Sequence, residues 1–312
     1  MDIDMKQANT ATIRTPHLKR AARIKEGKPL CSRFTRSRAG NIFILIFLIA
    51  AGLFCVLPLI YSIITSFKPL DELLIFPPQF YVKRPTLENY TALPELMSSL
   101  SVPISRYIFN SLFVGAVTTA LYILLSSMAA FVLSKSDLKG RNVIALVVQF
   151  ALLFNTFTMA MPQYLILAKL RVIDTYLAYI LPYLATTLGV FLMKQYMDGY
   201  VSDTFLEAAK IDGAGYFRIF WQIVMPMVKP AWFTLILFAF RDVWALIPQG
   251  TIISESLKTL PMITNQITTA GGIARSGSAM AVTTMLMIPP VIIYFLSQSH
   301  VVEALNSAGI KE

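Results

Sequence analysis

Long apolar runs separated by short polar segments dominate the sequence. Six of these runs approach the roughly 20 residues that an α-helix needs to cross the hydrocarbon core of a bilayer. They predict six transmembrane helices, at about 41–65, 107–133, 143–167, 176–196, 231–248 and 279–296. The expected fold class is therefore an all-α membrane protein.

Composition and charge support this class. Apolar residues make up 56% of the chain and charged residues only 14%, which is too apolar for a soluble protein of this size. The net charge of +10 would suggest a nucleic-acid partner in a soluble protein. Here much of the excess lies in residues 1–40, directly before the first apolar run, so it indicates a basic tail on the cytoplasmic side of a membrane. No nucleic-acid partner is expected.

The alternation of runs and loops then predicts the domain organisation. Both termini are expected in the cytoplasm, with a long extracytoplasmic segment after the first helix and a core at 107–297 that carries a cytoplasmic loop at 197–230. The outer segments are 66–106, 168–175 and 249–278, and the inner segments are 134–142, 197–230 and a C-terminal tail at 298–312. The first outer segment contains six prolines and is expected to be irregular or only briefly helical.

Side chains that support catalysis or metal binding are sparse. The two cysteines, Cys31 and Cys55, cannot form a disulfide framework, and the two histidines, His17 and His300, do not suggest a metal site. No Walker-type glycine loop is present, so the sequence predicts no ATP site, no other cofactor and no catalytic residue in this chain. The run at 41–65 is too long for a signal peptide and lacks an A-x-A site, which favours an uncleaved first helix.

One polar stretch in the loop at 197–230 has a distinctive internal spacing. A Glu-Ala-Ala triplet is followed by three residues, a glycine, nine residues and then Ile-Val-Met-Pro. The residues of interest are Glu207, Ala208, Ala209, Asp212, Gly213, Ile223 and Pro226. This spacing resembles the EAA signature of ABC importer permeases, with Met225 where Leu is usual. The resemblance implies the six-helix type I importer fold, with this segment as a cytoplasmic coupling helix that docks into a cleft on an ATP-hydrolysing partner.

The same stretch has a local physical logic. Thr204 and Glu207 have the spacing of a capping box, which predicts a helix start. The alanines offer a narrow surface, and Gly213 permits the left-handed conformation that ends a helix. Pro226 opposes simple continuation and is expected to mark the return to the membrane. Taken singly, these residues are equally typical of an ordinary capped helix.

Shorter matches along the chain resemble sugar-importer permeases related to the six-helix maltose permease subunit. They are Thr65-Ser66-Phe67-Lys68-Pro69, Asn89-Tyr90, Asn110-Ser111-Leu112, Asp174-Thr175-Tyr176 and Gly189-Val190-Phe191. Taken alone, Asp174 also suits a helix cap and Gly189 close helix packing. Trp244 is followed by Ala245 where such relatives have Asn, which puts maltose in doubt. The run at 258–261 resembles an oligosaccharide branch common in Gram-positive bacteria.

The resemblance also implies partners and a location. These are a second homologous permease subunit, a dimer of ABC ATPase subunits that binds ATP and Mg, an extracellular solute-binding protein, a sugar substrate and the lipid of a bacterial cytoplasmic membrane. Transport would proceed by alternating access, with no covalent chemistry in this chain. Two alternatives remain open: an importer permease for a non-sugar substrate, and an ion-coupled secondary transporter, for which the sequence offers few buried acidic residues.

A charged pair, Arg241 and Asp242, falls within the fifth apolar run, where a charge is costly unless it is paired or faces water. One interpretation places the pair in the translocation path, with Tyr183 and Trp244 as aromatic surfaces for a sugar ring. The other is a pair that bridges helices near the outer end or extends to the interface, with the aromatics as interfacial anchors. The sequence does not choose between them.

Overall fold

The computed structural model describes residues 38–98, 102–154, 156–248, 250–271 and 275–308. Within this part of the chain the regular structure is helical, as predicted. The predicted basic tail lies almost wholly outside the described residues, as do 272–274 and the last four residues. Contacts divide the chain into two compact units, 1–56 and 57–312. In the first unit the apolar side chains of the opening helix are exposed, which suits a segment surrounded by lipid.

Fifteen α-helices are described in these residues. They are α1 (Arg38–Ser66), α2 (Leu70–Leu73), α3 (Glu88–Thr91), α4 (Leu93–Ser98), α5 (Ile104–Lys135), α6 (Arg141–Ala151), α7 (Thr156–Lys169), α8 (Leu177–Leu184), α9 (Leu188–Tyr200), α10 (Asp203–Ile211), α11 (Tyr216–Ile219), α12 (Met225–Met227), α13 (Lys229–Trp244), α14 (Leu260–Gly271) and α15 (Ser276–Ala308). A π-helical stretch, Phe220–Val224, joins α11 to α12, and a 3₁₀ turn, Glu255–Leu257, precedes α14.

Three of these helices, α1, α5 and α15, are each long and apolar enough to cross a membrane. Two bent pairs raise the number to as many as five: α8 with α9, bent by 43°, and the Tyr216–Met227 stretch with α13, bent by 79°. The third predicted crossing, 143–167, is not one continuous helix, because α6 and α7 are separate helices. The break contains no glycine or proline, so the apolar pattern gave no sign of it.

Two further boundaries differ from the sequence prediction. The sixth predicted helix ends at 296, whereas α15 continues to Ala308 through most of the predicted C-terminal tail. The outer segment at 249–278 contains a full helix, α14. Between the end of α1 and the start of α5, the described residues of the proline-rich first outer segment form only the short helices α2, α3 and α4, which confirms the prediction that it is briefly helical.

Helix α5 packs against α8, α9 and α13, and α13 packs in turn against α15. The approach of α9 to α5 depends on Gly189. Its backbone N–H donates to the Tyr122 hydroxyl at 2.6 Å, and a Cβ at this position would lie 2.6 Å from that hydroxyl and from the Ser126 Oγ. Any side chain at residue 189 would force the helices apart, so the predicted role of Gly189 in close packing is confirmed.

Candidate coupling segment and transport pathway

The predicted coupling segment folds as a short helix, α10, with well-formed ends. Its N-cap is Ser202, whose Oγ accepts a hydrogen bond from the Thr204 backbone N–H at 3.3 Å. The predicted capping box starting at Thr204 is therefore wrong by two residues, because Ser202 supplies the oxygen that the first turn needs. Glu207 is exposed and lies in the middle of the helix.

The C-terminal end of α10 is a Schellman motif built on Gly213. The N–H of Gly213 donates to the Lys210 carbonyl at 3.0 Å, and the N–H of Ala214 donates to the Ala209 carbonyl at 2.9 Å. Gly213 has φ +79°, in the left-handed region that the sequence analysis predicted for it. A Cβ at this position would meet nothing within 4 Å, so the requirement for glycine comes from the backbone conformation alone.

Helix α10 has one buried face and one exposed face. Leu206 and Ala209 are buried in a core cluster that also contains residues of α9, α11 and α13. The opposite side chains are exposed; they are Thr204, Glu207, Ala208 and Ile211. Ile211 is 87% exposed, although it is one of the most apolar residue types. The surface available to a partner is therefore this exposed face, which includes Ala208, whereas Ala209 packs against the chain itself.

Polar contacts tie the start of α10 to the end of α5. The Lys135 ammonium lies 2.8 Å from the Asp203 carboxylate, with the lysine side chain 6% and the aspartate 77% exposed. Hydrogen bonding and charge from Lys135 lower the pKa of Asp203. Next to them, Ser134 donates to Asp198, which also pairs with Lys194 at 2.6 Å. These contacts join the end of α5 to α10 and to α9.

Breaking the Lys135–Asp203 pair should weaken this link without unfolding the helix. We expect Asp203→Asn to lower coupled transport by about two- to fivefold, the range that a partly exposed pair of under about 1 kcal/mol allows. Asp203→Glu should restore most of it. Because the pKa of Asp203 is lowered, the contribution of the pair is present above the ordinary aspartate pKa and is lost as the pH falls below it. The measurement is substrate uptake per ATP hydrolysed; an unchanged ratio in Asp203→Asn would contradict the link.

The segment that leads from α10 back to α13 is helical almost throughout. Pro226 lies in the first turn of α12 and does not interrupt the helix, because proline is tolerated at this position. The change of direction occurs at Val228, between the stretch ending at Met227 and α13. Pro226 therefore does not itself mark the return to the membrane as predicted. Ile223 is half-buried and packs against the same core cluster as Ala209.

The predicted charged pair lies on α13. The Arg241 Nε and Nη2 donate to the Asp242 Oδ1 at 3.0 and 2.9 Å, so the ion pair joins neighbours on one helix and does not bridge two helices. Arg241 is 70% exposed and Asp242 41%. Arg241 also lines an apolar groove with residues of α13 and α15, among them Leu237, Pro290 and Tyr294.

The two candidate aromatics have different surroundings. Trp244 is buried, and its indole N–H donates to the Leu286 carbonyl at 2.9 Å, which joins α13 to α15. Tyr183 is partly buried, packs edge-to-face on Tyr122 at 5.0 Å, and its hydroxyl interacts with Asp242. The structure thus brings Tyr183, Asp242 and Arg241 together, while Trp244 faces the neighbouring helix.

Single and double alanine variants of Arg241 and Asp242 distinguish the two interpretations of this pair. If the pair stabilises the fold, Arg241→Ala leaves a carboxylate without its partner and should lower the melting temperature by about 2 °C beyond the double alanine variant. If the pair binds sugar, each single change should weaken uptake at nearly constant melting temperature. Both quantities are measured on the purified transporter. Normal uptake with equal stability in all three variants would exclude both interpretations.

A hydrogen-bond network that was not predicted from the sequence holds the segment before α14. The Asn110 side chain donates to the carbonyls of Ser256 and Lys258 at 2.9 Å each and accepts from Tyr176 at 2.7 Å. Asp174 accepts from the backbone N–H groups of Ile253 and Ser254 at 2.9 and 2.8 Å. The Ser254 hydroxyl also donates to the Asp174 carboxylate, and this bond, together with the two backbone bonds, lowers the pKa of Asp174.

The same network corrects one earlier interpretation. Asp174 does not cap α8, whose N-cap is Tyr176 without a side-chain hydrogen bond. Asn110, Asp174 and Tyr176 all lie in the short motif matches found in the sequence, and that was the available signal. The sequence did not indicate that Asn110 and Asp174 both bind the loop at 251–258, or that Tyr176 donates to Asn110.

The long apolar helices and their packing define a helical membrane protein of the permease class. A family model described as the binding-protein-dependent transport system inner membrane component matches residues 122–307, and the chain belongs to this family. Because the match includes α10 and its glycine turn, the family assignment covers the coupling segment as well as the core.

Individual relatives agree with this assignment over most of the chain. The arabinooligosaccharides transport system permease protein AraQ of Bacillus subtilis (strain 168) is 30% identical over 279 residues, which cover 87% of this chain and 96% of that protein. The sulfoquinovosyl glycerol transport system permease protein SmoH of Agrobacterium fabrum (strain C58 / ATCC 33970) is 30% identical over 270 residues, covering 85% and 90%.

A solved structure confirms the predicted permease fold. A chain of a bacterial ABC transporter involved in the import of the acidic polysaccharide alginate superposes with a TM-score of 0.70. It is 21% identical in sequence, and the match covers 85% of this chain and 99% of that chain.

Proposed function

We propose that this chain is the permease subunit of an ATP-driven importer that moves a carbohydrate, an oligosaccharide, across the cytoplasmic membrane. The observation that carries the proposal is α10 with its Gly213 turn and exposed Ile211, in a chain whose relatives include an arabinooligosaccharide permease subunit. A short helix with an apolar exposed face beside a membrane core is the feature that a docking partner requires.

The mechanism follows from the contacts of α10. An ATPase dimer, which binds ATP and Mg, closes and moves the docked helix. The Lys135–Asp203 pair and the buried Leu206 and Ala209 transmit that movement to α5 and to the core cluster. Alternating access results because the ATPase state biases two arrangements of the helices differently. This chain contributes binding, docking and movement; ATP hydrolysis takes place on the partner.

The complete transporter would contain a second homologous permease subunit, the ATPase dimer and an extracellular solute-binding protein that delivers the sugar. Tyr183, Asp242 and Arg241 are the residues of this chain that we place beside the translocation path. Aromatic and charged side chains of this kind can stack on sugar rings and hydrogen-bond their hydroxyl groups. In the proposed orientation the hydrogen-bonded loop at 251–258 lies on the extracellular side, where a binding protein docks.

The proposed orientation has both termini in the cytoplasm, and surface labelling tests it. Cysteines at the exposed positions 80 and 253, introduced singly after replacing Cys31 and Cys55, should react with an impermeant thiol reagent in intact cells. Cysteines at 137 and 207 should react only after the membrane is opened. The opposite pattern would place α10 outside and remove the basis for ATPase docking.

An importer permease for another substrate class, such as amino acids, polyamines or phosphate, has the same kind of coupling segment. A binding assay distinguishes these classes. The cognate extracellular binding protein is screened by calorimetry against a glycan panel, with amino acids, polyamines and phosphate as the other arms. We expect saturable binding to an oligosaccharide only; binding confined to one of the other arms would reject the carbohydrate assignment and retain the importer assignment.

A further inference from the structure

The stretch Tyr216–Met227 changes direction by 79° where it meets α13. If α13 crosses the bilayer close to its normal, the preceding stretch must lie nearly in the plane of the membrane surface. α13 begins with Lys229 and continues into Trp232 and Phe233, whose rings stack at 4.3 Å. A basic residue followed by aromatic residues is typical of the membrane–water interface. The stretch therefore lies at the level of the lipid headgroups.

This in-plane stretch has two distinct faces. Ile219, Phe220 and Val224 are buried in the core cluster. On the other side, Phe217 is 75% and Trp221 41% exposed, and their rings lie 6.3 Å apart in an edge-to-face arrangement. A pair of large aromatic side chains on an exposed helical face indicates a contact with something other than water.

The depth of Trp221 can be related to α5. Its ring packs on Phe220 at 5.3 Å, and Phe220 packs on Phe131 at 5.5 Å. Phe131 precedes Lys135 by one helical turn, which is about 6 Å toward the bilayer interior. Lys135 is the last residue of α5, so these ring contacts place Trp221 near the end of α5.

Two basic residues flank the aromatic pair in sequence, Arg218 within the stretch and Lys229 just after the bend, where its ammonium lies 5.9 Å from the centre of the Phe233 ring. Arg218 is exposed and its Nε donates to the Gln222 side chain at 2.9 Å, which leaves guanidinium N–H groups for another acceptor. Lys229 is exposed at the start of α13. Cationic side chains beside exposed aromatic rings have the composition of an interfacial helix that binds anionic lipid.

We propose that Phe217 and Trp221 insert into the cytoplasmic leaflet, with Arg218 and Lys229 at the lipid phosphates. The occupant of this face is thus lipid, while the ATPase contacts the exposed face of α10. An in-plane anchor of this kind fixes the C-terminal end of the coupling loop in the bilayer. Movement of α10 then displaces the membrane helices, because the loop itself cannot shift with α10. The inference rests on the cytoplasmic placement of the loop in the proposed function.

Accessibility measurements on the assembled transporter in lipid nanodiscs test the proposal. Single nitroxide labels are placed at 217 and at 221 in a variant without Cys31 and Cys55, with matched labels at the exposed positions 207 and 211 of α10. Power saturation with oxygen and with a water-soluble nickel complex reports the surroundings. We expect labels at 217 and 221 to favour oxygen, and labels at 207 and 211, measured without the ATPase, to favour nickel.

The outcomes separate this inference from the proposed function. Access of the nickel complex to labels at 217 and 221 would show that this face is exposed to water. Loss of label mobility only when the ATPase is added would show that the face binds the ATPase. Either result would overturn the lipid contact. Oxygen preference at all four positions would instead remove α10 from the aqueous phase, which contradicts ATPase docking. Labels at two positions keep the test informative if one substitution impairs assembly. As a second readout, Arg218→Gln should reduce the difference in activity between anionic and zwitterionic nanodiscs; an unchanged difference would remove Arg218 from the lipid contact.

Discussion

Ile211→Asp should abolish binding-protein-stimulated ATP hydrolysis by the assembled transporter, with a loss of about tenfold or more. Ile211 is 87% exposed at the end of α10, on the same face as Thr204 and Ala208. A carboxylate placed there would be carried into the partner's cleft without a counter-charge, and a desolvated unpaired charge strongly opposes association. The substitution is far from the chain's own core, so the permease itself should fold and insert normally.

The conservative variant Ile211→Leu is the control for this prediction. It keeps the apolar volume and should retain most of the stimulated activity. Expression, pairing with the second permease subunit and copurification of the ATPase are measured in parallel. Full stimulation in Ile211→Asp, with the ATPase still bound, would show that the exposed face of α10 is not the docking surface.

Gly213→Val should uncouple the transporter nearly as severely. The left-handed backbone at φ +79° is unfavourable for a β-branched residue, at a cost of about 1–3 kcal/mol. The strain is relieved most easily by opening the Schellman motif, which lengthens and redirects the end of α10. We expect loss of stimulated ATP hydrolysis with normal membrane insertion, measured on the reconstituted complex.

Gly215 provides a matched control two residues further on. Its backbone is extended, with φ −70° and ψ 161°, and a Cβ there also meets nothing within 4 Å. Gly215→Val puts no residue in the left-handed region and should be milder than Gly213→Val, its cost being the loss of a better N-cap for α11. Gly213→Asn should also be milder than Gly213→Val because asparagine tolerates the left-handed region. Equal effects at 213 and 215 would mean that side-chain bulk, not backbone conformation, decides the outcome.

Much of the fold followed from the sequence because the bilayer constrains it strongly. An apolar run long enough to cross must be helical, since its backbone groups find no other partners there; α1, α5 and α15 meet this expectation. The break between α6 and α7 was not predicted because both sides are equally apolar. Local composition therefore does not indicate where α6 ends and α7 begins.

The sequence also predicted part of the structure of α10 and its C-terminal turn. The left-handed turn at Gly213 is a local requirement of one residue, so its spacing in the motif was sufficient. The burial of Ala209 and exposure of Ala208 depend on which face of α10 meets the core, and two adjacent alanines cannot indicate this. The contact between Lys135 and Asp203 joins residues far apart in the chain, and neither carries a local signal for the other.

Uptake of a labelled oligosaccharide by proteoliposomes is the most direct test of the proposed function. The vesicles contain this chain, its partner permease and the ATPase, with ATP inside and the binding protein outside. We expect accumulation that requires both ATP and the binding protein and that disappears in Ile211→Asp but not in Ile211→Leu. Uptake that continues without ATP, or that is unaffected by Ile211→Asp, would contradict ATP-driven import coupled through α10.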